Sequence, residues 1–388
     1  MIEIRTIDQL SLGGAKVFYR VDYNVPLDGT RITDATRIEE TLPTLRLLLD
    51  ANAAVVIASH LGRPKGERKP KYSLAPVREK LAELLGRDVK WADDCVGADA
   101  EQPLKPGEVL LLENLRFHAG EEKNDAAFAE QLHKLADVYV NDAFGACHRA
   151  HASIDALPRL FPKERTAGGL LLARELEFLQ KVTNVTDRPF VALLGGAKIA
   201  GKIEPLEALV KLADTILIGG GMANTFLAAK GIEMGGSLVD RDSIDVATRI
   251  LATSKVTLPA DLVVADDLEN PTKIETVSGS LTPEQKAFDI GPKTVEQYAA
   301  ALKNAKVVFW NGPMGVFEKE AFAKGTMAMA RAVADADAIT VVGGGESVEA
   351  VKASGFASKI SHISTGGGAS LEFISGASLP GVEVLRKG

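Results

Sequence analysis

The sequence predicts an α/β protein built from two doubly wound parallel-sheet domains of the Rossmann-like kind, joined by a helix and a hinge. Short aliphatic or β-branched runs alternate with longer amphipathic stretches in both halves, which is the pattern of strand and helix units on a parallel sheet. A polar segment, TNVTDRP, begins at residue 183 and marks a boundary near residue 186. Residues 1–185 hold 12 glycines and 14 arginines, whereas residues 186–388 hold 24 and 5. We therefore expect the two halves to bind different ligands.

The individual elements follow from apolar runs and helix signals. Ser73 is placed to cap the helix LAPVREKLAELLG, Pro205 to open LEALVKLAD, and Leu170 to Val182 reads as one helix that connects the domains. Predicted strands of the first half are residues 16–21, 54–59, 109–112 and 138–141, and those of the second half are 190–194, 215–219, 262–265, 306–310, 338–342 and 360–364.

Composition excludes several classes of protein. A chain of 388 residues with 46% apolar residues is typical of globular proteins and not of disordered or fibrous ones. The net charge of -7, from 45 basic and 52 acidic residues, gives no cationic face for a nucleic acid. No apolar run approaches the roughly 20 residues of a membrane span. The amino end lacks a secretory signal, and two cysteines are too few for a disulfide framework. We therefore expect a cytoplasmic protein.

The predicted strand ends of the first half carry cations and polar groups. Parallel sheets place functional groups in the loops after the carboxyl ends of their strands. Because arginine pairs with two carboxylate or phosphate oxygens at once, this set predicts a site for a small, multiply charged anion such as a phosphorylated acid. Scattered surface ion pairs are the alternative, and a metal site at His148 and His151 lacks a third ligand at suitable spacing. The residues are Asp22, Tyr23, Asn24, His60, Leu61, Gly62, Arg63, Arg116 and Arg149, with Arg37 at the start of a helix.

The predicted strand ends of the second half carry glycine turns instead. Such turns let backbone N–H groups approach phosphate oxygens, which favours a nucleotide polyphosphate as ligand. Glycines at strand-to-helix corners that serve packing alone are the alternative. Gly196 to Lys202 fits the start of a P-loop, but Ile203 stands where that motif needs a hydroxyl for magnesium. No dinucleotide-binding fingerprint is present. The turns are GGAKIAGK at 195–202, GGGMAN at 219–224, NGPMGVFE at 311–318, GGGES at 343–347 and TGGGAS at 365–370.

Seven segments, in order along the chain, resemble the phosphoglycerate kinase family, and in length and charge its bacterial monomeric members. They are RVDYNVP at 20–26, HLGRP at 60–64, ENLRF at 113–117, HRAHAS at 148–153, GGAKIAGKI at 195–203, NGPMGVFE at 311–318 and STGGGAS at 364–370. The resemblance implies a 3-phosphoglycerate domain of residues 1–170 with the tail 372–388, an interdomain helix of 171–185, and a nucleotide domain of 186–371. It also implies a monomer that moves the γ-phosphoryl group of ATP reversibly onto the carboxylate of 3-phosphoglycerate, with Mg²⁺ bound to the nucleotide and with hinge-type domain closure.

The resemblance also implies roles for the site residues. Those at the strand ends of the first half would hold phosphoglycerate, with Arg37 reaching the carboxylate that is phosphorylated. In catalysis, Lys198 would follow the transferring phosphoryl group, and Gly367 would add backbone N–H dipoles. The residues that would hold ATP are Lys202, Asn311, Glu318, Gly344, Gly345, Glu346 and Ser347.

One position departs from the family pattern. In the turn that here reads GGGES at 343–347, the family has an aspartate before Ser or Thr, and this aspartate is linked to the nucleotide-bound magnesium. Here Glu346 precedes Ser347, so Glu346 becomes the candidate metal ligand, directly or through water.

Two other functions stay open from the residues alone: a nicotinamide-dependent oxidoreductase, and a sensor that closes on a phosphorylated metabolite without turnover.

Overall fold

A computed structural model describes residues 2–387, which fall into two compact units. Unit 1 runs to Glu177 and includes the segment from Ser378 onward, and unit 2 is Phe178–Ala377. The chain passes from unit 1 into unit 2 within a single helix, Leu170–Thr183. The predicted α/β class with a parallel sheet in each half is confirmed. None of the described helices is long and apolar enough to cross a membrane.

Unit 1 is built on a six-stranded parallel sheet with the order β5-β6-β4-β1-β7-β8. The central strands are buried along almost their whole length, as strands covered by helices on both faces should be. A short hairpin, β2–β3, follows β1. The elements are β1 Lys16–Arg20, β2 Leu27–Asp28, β3 Arg31–Ile32, α1 Thr36–Glu39, α2 Leu42–Asp50, β4 Ala54–Ala58, α3 Ala75–Leu85, β5 Lys90–Ala92, β6 Val109–Leu112, α4 Ala119–Glu122, α5 Ala126–His133, β7 Val138–Asn141, β8 Thr166–Gly168, α6 Leu170–Thr183 and, near the carboxyl end, α14 Pro380–Glu383.

The segment from Ser378 is held in unit 1 by backbone hydrogen bonds. Gly381 N donates to Cys147 O over 3.0 Å, and Arg5 N donates to Leu385 O over 3.1 Å. Val382 and Leu385 are buried, so the segment also adds apolar surface to the core of unit 1. The two ends of the chain therefore belong to the same unit.

Unit 2 has a six-stranded parallel sheet with the order β11-β10-β9-β15-β16-β17. Trp310, fully buried on β15, donates its indole N–H to Gly312 O over 2.7 Å and so ties the core to the turn that follows the strand. The elements are β9 Phe190–Leu194, α7 Ile203–Leu212, β10 Thr215–Ile218, α8 Gly220–Ala229, α9 Ile244–Leu251, β11 Val256–Thr257, β12 Leu262–Ala265, β13 Ile274–Val277, β14 Lys286–Ile290, α10 Pro292–Lys303, β15 Val307–Asn311, α11 Lys324–Ala334, β16 Ile339–Gly343, α12 Gly345–Ala353, β17 His362–Ile363 and α13 Gly368–Ile374.

One strand is placed differently from the prediction. The run Leu262–Ala265 was expected in the parallel sheet, but β12 lies between β13 and β14 in a separate antiparallel sheet. Its small apolar cluster, which includes Leu262, Val264 and Leu281, is separate from the main core of unit 2. A short apolar run identifies a buried strand without showing whether its neighbours are parallel or antiparallel, which explains the error.

Candidate functional site

The predicted anion-binding residues of unit 1 come together around Asp22. Arg37, on α1, forms an ion pair and hydrogen bond with the Asp22 carboxylate. His60 Nε2 lies 3.8 Å from Asp22 Oδ1. Asn24 Oδ1 accepts the backbone N–H of Gly62 over 2.8 Å, which joins the loop after β1 to the loop after β4. Both loops lie at the carboxyl edge of the sheet because β1 and β4 are parallel neighbours.

Arg116 adds a further cation to the same edge. It lies in the 3-10 turn Leu115–Phe117 after β6, and its Nη1 donates to Gly62 O over 2.8 Å. Its Nε is buried, with no hydrogen-bond partner among the described residues, and Glu122 lies 3.7 Å away. Burial is the main cause that lowers the pKa of Arg116, and the nearby charge of Arg20 adds to it. The pKa is about 10, so the guanidinium is still charged at neutral pH.

Arg63 and Arg149 present exposed side chains, whereas Tyr23 and Leu61 do not. Tyr23 is fully buried, and its hydroxyl lies 2.9 Å from Thr41 Oγ1. Leu61 is 3% exposed. The Tyr23 backbone is also engaged, since its N–H donates to Ser59 Oγ over 2.8 Å and its C=O accepts from Val25 N over 2.8 Å.

A buried arginine beneath this site was not among the predicted residues. Arg20, 0% exposed on β1, places Nη2 3.2 Å from His60 Nδ1 and donates Nε to Ser153 Oγ over 2.8 Å. Glu121 Oε1 lies 3.8 Å from the same guanidinium and accepts the Ser153 hydroxyl over 2.6 Å. An arginine inside the apolar run VFYRV was the available signal, because a buried charge requires a partner.

The charges around Asp22 set its protonation state and that of His60. Burial alone would raise the pKa of Asp22, but Arg37, His60 and Arg20 outweigh it and hold the pKa well below its usual range. Burial lowers the pKa of His60 well below its usual range, and Arg116, Arg20 and Arg37 add to the effect. A guanidinium only donates hydrogen bonds, so His60 Nδ1 accepts from Arg20 and the neutral ring carries its proton on Nε2. His60 therefore offers a neutral donor.

The two other histidines of this region do not form a metal site. His148 Nε2 accepts a hydrogen bond from Arg149 Nε over 3.0 Å, which occupies a lone pair that a metal would need. Burial is the main cause that lowers the pKa of His151 to about 3, and the nearby charge of Arg116 adds to it. The buried Nδ1 of His151 has no hydrogen-bond partner among the described residues. His151 is thus a second neutral group at the edge of the cationic cluster.

In unit 2, predicted residues meet where the turns after β9, β15 and β16 approach one another. Lys202 Nζ donates to Gly195 O over 3.2 Å. Burial lowers the pKa of Lys202, and the nearby Glu346 carboxylate partly opposes this. Ser347 is buried, and its hydroxyl accepts the backbone N–H of Gly312. The Ser347 side chain therefore supports the turn after β15.

The donor set of these turns fits a nucleotide phosphate with a divalent cation. Asn311 Nδ2 is a buried donor with no partner among residues 2–387. Gly344, with φ +89°, stands beside it, and a Cβ at this glycine would lie 2.8 Å from that nitrogen. Asn311 and Lys202 provide donors for phosphate oxygens, and the exposed carboxylate of Glu346 is the type of oxygen ligand that Mg²⁺ prefers.

Four predicted residues of unit 2 lie apart from these contacts. Lys198 and Glu318 are exposed, and within the described chain neither forms a hydrogen bond or ion pair with another predicted site residue. Gly367, with φ +53°, immediately precedes α13, and a Cβ there would meet no atom within 4 Å. Gly345 is exposed at the first position of α12.

Comparisons with known proteins agree on one family. The family model described as phosphoglycerate kinase matches residues 7–377. A phosphoglycerate kinase of Moorella thermoacetica is 53% identical over 391 residues, covering 98% of this chain and 99% of the relative. One of Geobacter metallireducens is 51% identical over 396 residues, covering 99% of each. The solved structure of phosphoglycerate kinase from Coxiella burnetii superposes with a TM-score of 0.89 at 37% identity, covering 99% of each chain.

Proposed function

The chain belongs to the phosphoglycerate kinase family, and from this premise we propose how its residues divide the work of the reaction. The reaction is the reversible transfer of the γ-phosphoryl group of ATP to the carboxylate of 3-phosphoglycerate, which gives 1,3-bisphosphoglycerate and ADP in glycolysis and gluconeogenesis. It is a phosphotransferase reaction with a carboxyl group as acceptor. The proposal extends to a monomer that works in the cytoplasm.

We assign phosphoglycerate to unit 1 and the nucleotide to unit 2. The observation that carries this assignment is the cluster of cations at the carboxyl edge of the unit 1 sheet, where Arg37 and Arg116 are fixed by contacts with Asp22 and Gly62. Arg63 and Arg149 add exposed guanidinium groups that are available for a phosphate. His60 and Asn24 complete the set of polar groups.

On unit 2 we assign Lys202, Asn311 and Glu318 to the nucleotide, together with the turn Gly344–Ser347, and Glu346 to its Mg²⁺. The unpartnered amide of Asn311 and the half-buried ammonium of Lys202 support this assignment. When bound, Mg²⁺ supplies positive charge to the phosphate oxygens. Lys198 and the backbone at Gly367 face the transferring group in this proposal.

The transfer needs no general base. A carboxylate with a pKa of about 4 is already ionised at neutral pH, so the acceptor oxygen has no proton to lose. The requirement is to bring two anions together and to stabilise the charge that spreads over the transferring group. Arg37 and Lys198 provide positive charge for this purpose, and exclusion of water protects the phosphoryl group from hydrolysis.

A coupled assay tests the function. We expect the chain, with 3-phosphoglycerate, ATP and Mg²⁺, to form a product that an added dehydrogenase reduces with consumption of NADH. A metabolite sensor would bind both compounds without turnover, and an oxidoreductase would use nicotinamide without ATP or the added enzyme. Either result would contradict the proposal.

The variant Arg63→Ala, measured in the same assay, tests the assignment of phosphoglycerate to unit 1 and of the nucleotide to unit 2. The variant is expected to raise the KM for 3-phosphoglycerate about 10- to 100-fold, which corresponds to the loss of one charged hydrogen bond, with little change in the KM for ATP. Arg46→Ala, which removes an exposed arginine from α2, is the matched control and should leave both constants unchanged. A change in the ATP constant alone would reverse the assignment.

A further inference from the structure

We infer that Asp94, Cys95 and His118 form a binding site for a zinc-type transition metal ion, separate from the substrate sites. One ligand atom from each residue, the Asp94 carboxylate oxygen, the Cys95 sulfur and a His118 ring nitrogen, lies within 4.8 Å of the other two. Among residues 2–387 this is the one group of three such side chains that are so close together. The inference does not rest on the proposed function.

The fold brings the three residues together from two neighbouring strands. β5 ends at Ala92 and β6 at Leu112, and these strands pair in parallel, so the loops that follow them leave the same edge of the sheet. Asp94 and Cys95 are in the first loop, and His118 follows the 3-10 turn of the second. The backbone N–H of Cys95 donates to Asp94 Oδ1 over 2.6 Å, which fixes the carboxylate beside the thiol.

The ligands are already oriented toward one another. His118 Nε2 lies 2.6 Å from Asp94 Oδ1, and the imidazole ring stacks on Phe128 with 5.1 Å between centroids. Cys95 is fully buried, whereas the side chains of Asp94 and His118 are 43% and 32% exposed. The group therefore has a closed side at the sulfur and an open side at the carboxylate and imidazole, through which an ion can enter.

The donor set selects the kind of ion. A thiolate, an imidazole nitrogen and a carboxylate oxygen suit Zn²⁺ and related transition metals, whereas Mg²⁺ and Ca²⁺ prefer oxygen ligands alone. Metal–ligand bonds of about 2.0–2.3 Å separate tetrahedral ligand atoms by about 3.4 Å. The Asp94–His118 pair must therefore open slightly as the ion replaces the proton between them, and the neutral imidazole that binds the ion through Nε2 carries its proton on Nδ1. The Cys95 thiol loses its proton to solvent on binding, and water fills the fourth position.

Spectroscopic titration of the full-length, metal-free chain with Co²⁺, and then with Zn²⁺, tests the inference without nucleotide or phosphoglycerate. We expect one equivalent of Co²⁺ to produce a thiolate-to-cobalt charge-transfer band, and Zn²⁺ to displace it. Cys95→Ser should abolish the band, and His118→Gln, which removes a direct ligand, should weaken metal binding by more than the roughly 10- to 100-fold typical of losing an outer-shell partner. Cys147→Ser is the matched control, because Cys147 is equally buried but has no such neighbours, and it should keep the band.

The outcomes separate a metal site from a structural contact. If the group is only an Asp94–His118 hydrogen bond beside a buried thiol, the wild-type chain will show no charge-transfer band, and this result overturns the inference without any variant. Equal binding by Cys95→Ser and wild type would also overturn it, since the metal would then be held elsewhere. Circular dichroism of each variant verifies that the chain is folded, and the intact thiol of His118→Gln gives a second test if Cys95→Ser does not fold.

Discussion

Lys198 and Lys202 are only four positions apart, but they differ in burial and in hydrogen bonding. Lys202 is partly buried and its ammonium is tied to Gly195 O, whereas Lys198 is exposed. A tethered cation is suited to hold a ligand in place, and an untethered one can follow a group that moves. The sequence placed both residues near phosphates, but it gave no basis for this difference in burial.

Lys198→Ala is expected to lower kcat about 100- to 1000-fold, with a smaller change in the KM for ATP. The reason is the loss of one positive charge that acts mainly in the transition state. Steady-state kinetics with varied ATP measures both constants. Lys211→Ala, at an exposed position near the end of α7, provides the control. Unchanged turnover in Lys198→Ala would remove this residue from the chemistry.

Asp289 is a buried carboxyl group whose protonation should make the stability of unit 2 depend on pH. It is 3% exposed and accepts the backbone N–H groups of Gly325 and Ile290 over 2.7 and 2.9 Å. Burial outweighs these hydrogen bonds and raises the pKa of Asp289 from 3.8 to about 7. At a pH between these two pKa values, Asp289 holds a proton in the folded chain but has released it in the unfolded chain. The free energy of unfolding should therefore fall as pH rises from about 4 to about 7.

Asp289→Asn should flatten this dependence, whose slope for one proton is at most about 1.4 kcal/mol per pH unit. The fluorescence of Trp310 during denaturant unfolding, in a Trp91→Phe background, reports on unit 2 alone because the chain has two tryptophans. Asp242→Asn, at an exposed position of unit 2, is the control. The same slope in Asp289→Asn and its parent would show that other groups cause the dependence.

Among whole elements, buried central strands were predictable, whereas three of the four edge strands of the parallel sheets were not; the fourth, β17, lies within the predicted run 360–364. Val109–Leu112, Val138–Asn141 and Phe190–Leu194 have the bounds that their apolar runs predicted. The edge strands β5, β8 and β11 have only two or three residues each and are too short to form an apolar run. Their pairing depends on neighbours distant in sequence, which a local pattern does not contain.

Gly344 and Gly345, at the start of α12, should respond differently to replacement by alanine. Gly344 has a positive φ, and a Cβ there would crowd Asn311, whereas a Cβ on Gly345 would meet nothing within 4 Å. Gly344→Ala should therefore lower the free energy of unfolding of unit 2 by about 1–3 kcal/mol. Gly345→Ala should leave it unchanged or slightly higher, because alanine favours the helix. Trp310 fluorescence measures both, and equal effects would mean that neither strain nor crowding operates at Gly344.

On the scale of the whole chain, the proposed division of ligands predicts that one unit closes on the other during the reaction. Phosphoglycerate and ATP are assigned to different units, and transfer of a phosphoryl group needs the reacting oxygens to approach to about 3–3.5 Å. The glycine-rich turn before α13 and the segment around Asn184 are the expected hinges, since a few residues at the ends of elements absorb such rotations. The sequence predicted two α/β halves with different ligands, but no local pattern specifies how far they move.

Small-angle X-ray scattering tests this closure. The radius of gyration is expected to be smaller with 3-phosphoglycerate and Mg-ATP together than with either alone, because only the two ligands together bridge the units. Lys198→Ala is the suitable protein, since slow turnover preserves the complex during the measurement. Calorimetric titration of each ligand first verifies that both are bound. Identical scattering with both ligands and with none, at saturation, would mean that the reacting groups meet without closure. This result would overturn the proposed closure, whereas the division of ligands between the units is tested separately by Arg63→Ala.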